Sequence, residues 1–161
     1  MNGTLTVNLS KDKFREVIKN TPLFSIDLVI VNNKNEILLG LRNNAPAQGF
    51  WFVPGGRVYK DELLEKGFER ICSSEIGVAK SLKDTEFLGI YEHIYENNFF
   101  DSSFSTHYIV MGLKLKLDLM TSELSKEQHL KYKWWKQDEL MASEDVHQNT
   151  KNYFIKEEGI L

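Results

Sequence analysis

Residues 56–78, GRVYKDELLEKGFERICSSEIGV, carry the pattern in this chain most suited to chemistry. Glycines at 55 and 56 allow a tight turn that can bring a backbone carbonyl close to a metal ion. On the helix expected to follow, residues 71, 74 and 75 share one face, because positions three and four apart are neighbours. Only Glu75 among them is a carboxylate; the others are Ile71 and Ser74. A carboxylate is the hard oxygen donor that a divalent cation prefers, and this face offers one. It cannot assemble a cluster of several metals. Asp27 and His93 each sit in an apolar run, and a buried aspartate is costly unless paired. Read alone, each is by default a satisfied polar group of the core, and Gln128-His129 is by default an ordinary polar loop.

The elements that must position these residues are legible from periodicity. Ser10 ahead of Lys13, Phe14, Val17 and Ile18 predicts a short serine-capped helix that stops before Pro22. FSIDLVIV (24–31), the turn-like Asn32-Asn33-Lys34-Asn35 and EILLGLR (36–42) predict a hairpin. Residues 43–58 read as a loop, a brief strand and a glycine turn. A helix from about Glu62 to Ile76 follows, capped by Asp61 and stopped by Gly77, with Leu64, Phe68, Ile71 and Cys72 on one stripe. Strands are expected at about 86–95, 105–116 and 132–136, and a terminal helix at about 146–157. This order gives an α/β fold of the α+β type, a mixed β-sheet sandwiched between helices, with no doubly wound alternation.

Composition bounds the rest. The chain has 161 residues, 42% hydrophobic and 12% aromatic, enough for one sizeable core, so 1–161 reads as a single domain. A net charge of -3 argues against a dedicated nucleic-acid or anionic-membrane binder. The single cysteine, Cys72, forms no internal disulfide and favours a reducing compartment, hence the cytoplasm. Nothing in the first thirty residues resembles a signal peptide or a membrane span.

Gly56, Glu62, Arg70, Glu75, Gly77 and Val78 fall on fixed positions of the Nudix box. Two glutamates of that box are absent, their places taken by Ile71 and Ser74. Together with PAQGFWFVPGGRV (46–58), FERICSSEIG (68–77), FSTHYIV (104–110), EQH (127–129) and VHQNT (146–150), the reduced box resembles the GDP-mannose mannosyl hydrolases of the Nudix superfamily over nearly the whole chain.

The resemblance implies attack by water at the anomeric carbon of the mannosyl group, C–O cleavage and release of GDP with inversion, with GDP-glucose as a secondary substrate. It implies one Mg²⁺ per site, replaceable by Mn²⁺, held by Gly55, Glu75 and Gln128, and His129 as general base. Arg42, Arg57 and Tyr108 would donate to the diphosphate, where negative charge builds as the leaving group departs. Asp27 and His93 would lie near the sugar or leaving group. Gly56, Glu62, Arg70 and Gly77 would be structural, with Arg70 paired to Glu62. A homodimer is also implied. Two alternatives stay open: a Nudix pyrophosphatase that cuts P–O bonds, and a catalytically silent nucleotide-binding domain. Trp51, Trp134, Trp135, His107 and His147 receive no role, the tryptophans reading as core.

Overall fold

The computed structural model describes residues 9–124, 126–127, 129–156 and 159–161. The first helix, α1 (Lys11–Asn20), starts where the Ser10 hydroxyl accepts from the Lys13 amide, and it buries Ile18. Strand β1 (Leu23–Val31) follows, and it is buried on both faces along most of its length. The Asn32 side chain shapes the next turn by accepting from the Lys34 and Glu36 amides, and Asn35 takes a positive φ of 59°. Strand β2 (Ile37–Arg42) then pairs antiparallel with β1, at the register Val31 to Ile37.

From that join the two strands diverge. Strand β4 (Gly55–Arg57) pairs with the start of β1, and the short β3 (Trp51–Phe52) pairs with β2. On its other edge β1 runs parallel to β6 (Thr106–Lys116), which is antiparallel to β5 (Thr85–Tyr95), while β7 (His129–Trp135) pairs with β2. The mixed seven-stranded sheet is therefore forked, with the glycine turn between its arms. At the outer margin of β5 the Ile160 amide donates to the Ile90 carbonyl at 2.7 Å.

Side chains alternate across the pleat and build one apolar layer on each face. Ile26, Leu28 and Ile30 meet Phe68, Ile71, Cys72 and Ile76 of α2 (Leu64–Ile76). Val29 faces the opposite layer with Trp51, Tyr91, Val110 and Trp135. That layer is closed by Leu140 of α3 (Gln137–Ala142) and by Val146 and Tyr153, which flank α4 (Gln148–Asn152). Among the described residues no helix is long and apolar enough to cross a membrane.

The expected fold class holds, and four local readings are corrected. Asp61 does not cap α2: its φ is +65° and its carboxylate meets Lys60, while Leu63 occupies the cap position without a side-chain hydrogen bond. The helix therefore starts at Leu64 rather than at Glu62, whose side chain is engaged elsewhere. Strand β7 begins at His129 instead of Tyr132, because pairing with β2 extends it backwards. Within the helix expected over 146–157 only Gln148–Asn152, α4, is helical among the described residues, and a short helix that was not expected, α3, precedes it. Gly77 does terminate α2, in the left-handed region at φ 69°, with its amide bonded to the Ser73 carbonyl.

Candidate active site

Between the arms of the fork lies a cleft of about 570 Å³. Seven residues singled out from sequence line it: Asp27 of β1, Arg42 of β2, Gly55 and Arg57 of β4, Glu75 of α2, His93 of β5 and Tyr108 of β6. Gly56 and Arg70 line it as well. Ile71 and Ser74 stand beside Glu75 on the wall contributed by α2, so this helix presents one carboxylate to the cleft.

The cations are held in place. Arg42 donates from Nε to the Pro46 carbonyl at 2.9 Å. The Arg57 guanidinium carbon lies 4.1 Å from the centre of the Phe14 ring and 5.6 Å from that of Tyr59. Such stacking fixes a planar cation without using up its N–H donors. Arg70 donates to both oxygens of Glu62 and to the Arg57 carbonyl, which ties the start of α2 to the glycine turn. Glu62 also accepts from the Tyr59 amide, and Arg70 holds its carboxyl below the usual carboxylate range. This is a structural brace.

The glycines at the turn are required by close approach. A Cβ on Gly55 would lie 2.5 Å from Asp27 Oδ1 and 2.6 Å from the Ile26 carbonyl oxygen. On Gly56 it would meet Ile71 at 3.1 Å.

Burial sets the protonation of the site. Asp27 is pushed up to about 7 by burial, against the pull of the Tyr153 hydroxyl and of Arg42. Burial likewise pushes Glu75 to about 7; Arg42 and Arg70 pull it down and Glu127 adds to the rise. His93 falls to about 3, through burial and then His147, so its imidazole is neutral. The Tyr108 phenol is raised by burial and stays protonated as a donor, although Arg57 and Arg42 favour its ionised form.

His129 stands apart. It is 1% exposed and packs over Gly40, where an added Cβ would come within 2.5 Å of its ring, and it does not line the cleft. Nδ1 lies 3.1 Å from the Tyr132 hydroxyl and 4.0 Å from Glu75 Oε2, while Nε2 has no hydrogen-bond partner among the described residues. Burial, followed by Arg42, lowers this imidazole to about 4. Gln128 lies outside the described residues.

The residues present suit one divalent ion. A neutral His129 does not offset the Glu75 charge, and a carboxylate held near 7 by desolvation gains from a nearby cation. Among the described residues no three His, Cys, Asp or Glu side chains gather into a metal-binding group. The remaining coordination would fall to backbone, phosphate and water, as Mg²⁺ accepts.

Sequence reasoning missed Phe14, Tyr59, Tyr95 and Glu127, all of which line the cleft. Tyr95 could have been found, since it follows His93 on the same face of β5. The unassigned residues lie elsewhere. Trp51 and Trp135 pack edge to face in the core, and Trp134 packs in the layer below α2. His107 sits 3.8 Å from Glu92, and His147 accepts from the Asn149 amide at the start of α4.

A forked mixed sheet whose glycine turn and central helix border a cleft lined by Arg42, Arg57 and Arg70 defines a mixed α/β domain. The NUDIX domain profile matches residues 22–156, and the chain belongs to this family, the Nudix hydrolase superfamily. It is 37% identical over 113 residues to the low-salt glycan biosynthesis protein Agl8 of Haloferax volcanii, covering 70% of each chain. Its fold is similar to that of a MutT protein from Methanosarcina mazei (TM-score 0.64, 22% identity, 84% of this chain and 92% of that one). It is also similar to the Nudix domain of Shewanella oneidensis NrtR, solved with ADP-ribose (TM-score 0.61, 18% identity, 91% and 97%).

Proposed function

We propose that the chain is a Mg²⁺-dependent hydrolase of GDP-mannose, with GDP-glucose as a secondary substrate, acting by water attack at the anomeric carbon with inversion. The observation that carries this reading is the α2 wall of the cleft, where Glu75 is flanked by Ile71 and Ser74. That helix has no second carboxylate beside it to activate water for attack on phosphorus, whereas Arg42, Arg57 and Tyr108 are gathered to receive a departing diphosphate. The glycan-biosynthesis name of the Haloferax relative fits an activated sugar as substrate.

In this reading the water oxygen bonds to C1, the C1–O bond breaks, and its electron pair stays on the diphosphate. Arg42 and Arg57 offer paired N–H donors to the phosphate oxygens, and Tyr108 adds a hydroxyl. Asp27 and His93 face the sugar end. Gly55, Glu75 and Gln128 would hold the Mg²⁺, which when bound neutralises charge on the leaving group. His129 is the base that takes the proton from water in this reading, and the role requires its ring to leave the buried place over Gly40. The working unit is a homodimer, checked by sedimentation.

Hydrolysis in ¹⁸O-water tests the reaction: the label is expected in mannose, with unlabelled GDP. A second reading, cleavage of the diphosphate, draws on Glu127, which lines the cleft where His129 does not. Label on a phosphate product establishes that reading instead, and tight binding without turnover leaves a silent nucleotide-binding domain.

A further inference from the structure

Tyr153 is not part of the cleft wall, yet it holds a group that is. Its hydroxyl donates to Asp27 Oδ2 at 2.6 Å, a bond between two buried side chains 126 positions apart in the chain. The tyrosine sits at the C-terminal cap of α4, a helix capped at its start by His147 and placing Thr150 in the interior. Its ring is seated closely. It packs edge to face on Tyr91 with centroids 4.6 Å apart, and a Cβ on Gly112 would lie 2.9 Å from its edge. The glycine at 112 thus leaves room for the ring to lie against β6 and reach the carboxylate on β1 from behind.

This arrangement divides the Asp27 carboxylate between two tasks. Oδ2 is engaged by Tyr153, while Oδ1 lies toward the glycine turn, within 2.5 Å of where a Cβ on Gly55 would stand. A carboxylate fixed by one strong donor loses its freedom to rotate, so the cost of orienting it for a ligand is met during folding rather than at binding. Hydrogen bonds to a charged group are also stronger than neutral ones. None of this is needed to fill the core, since a phenylalanine would pack against Tyr91 and Gly112 equally well.

We infer that Tyr153 is a positioning residue for substrate selection, holding Asp27 so that its remaining acceptor meets a sugar hydroxyl. This rests on the sugar-nucleotide reading above, with Asp27 at the sugar end. Its effect falls on recognition of the sugar and not on grip of the diphosphate, which Arg42, Arg57 and Tyr108 provide.

The test is Tyr153→Phe, which removes one oxygen and keeps the ring. Affinities for GDP and GDP-mannose are measured by calorimetry with Ca²⁺ in place of Mg²⁺, and kcat and KM are measured with Mg²⁺. The expected result is about a tenfold loss of GDP-mannose affinity and a comparable rise in KM, with GDP affinity and kcat nearly unchanged. In an Asp27→Asn background the same substitution should have almost no further effect, because the group it positions has changed. Three results overturn the inference: equal losses of GDP and GDP-mannose affinity, no loss of either, or a full loss that persists beside Asp27→Asn. If the unsubstituted protein neither turns over GDP-mannose nor binds it more tightly than GDP, the functional reading itself fails, and the inference with it.

Discussion

Arg70 and Glu62 form a two-point ion pair: Nε donates to Oε1 at 2.7 Å and Nη2 to Oε2 at 2.8 Å, and Nη2 also reaches the Arg57 carbonyl. Because Arg70 holds Glu62 below its ordinary range, the pair's stabilisation is complete above about 4.5 and is lost as pH falls through the lower folded value. Glu62→Gln should cost about 1–2 kcal/mol at pH 7, allowing for the exposed part of the guanidinium, and much less at pH 3. Urea denaturation at the two pH values checks this; an equal cost at both would contradict it.

Gly40 is the seat of the His129 ring. Gly40→Ala places a methyl 2.5 Å from two ring carbons and should destabilise the fold by about 1–3 kcal/mol, as overpacking does. Removing the ring gives the methyl room, so the Gly40→Ala, His129→Ala pair should be more stable than the sum of the single effects predicts. A double-variant cycle in urea measures the coupling, and strict additivity would disprove the contact.

His129→Ala should lower kcat at least a hundredfold while GDP affinity changes little, as loss of a general base does. Steady-state kinetics and calorimetry on the same preparation separate the two. A variant that keeps full turnover removes His129 from the reaction.

Glu75 near 7 makes metal binding compete with a proton. Its folded value is raised, so without metal the native state holds the extra proton between about 4.5 and 7, and stability falls as pH rises through that window. Mg²⁺ favours the ionised form, so the rise in melting temperature it produces should be larger at pH 8 than at pH 5.5. Glu75→Gln should abolish that difference. Equal Mg²⁺ shifts at both pH values would exclude Glu75 as a ligand.

His93 acts in the opposite sense. Folding lowers its imidazole to about 3, so below about 6.5 the unfolded chain takes a proton that the native state refuses, and stability declines as the solution becomes more acidic. Replacing it with asparagine should flatten the decline between pH 6 and 4 by up to about 1.4 kcal/mol per unit. Chemical denaturation across that range provides the slope, which should be unchanged if His93 stays hydrated.

Periodicity made α2, β1 and β2 readable, because each carries an apolar pattern long enough to be distinctive. Gly77 was readable because a left-handed helix stop is a local demand. Asp61 misled because a capping residue type says nothing about where the first turn begins; Glu62 is claimed by Arg70, and that claim is tertiary. The six residues of α3 are too few for a period to register, and β7 reaches back to His129 only through its partner β2. At the site, resemblance supplied Arg42, Arg57 and Tyr108, all of which line the cleft. Phe14 and Glu127 arrive there from distant stretches of chain, and no local pattern announces a shared destination.

The hydrogen bond from Ile160 to Ile90 occupies a main-chain acceptor on the outermost strand of the sheet. A bare margin of that kind is a template on which a stranger's backbone can add and from which fibrils can grow. With Ile160 bonded there, the stretch of β5 on which such growth could begin is narrower, at a point where no cleft residue takes part.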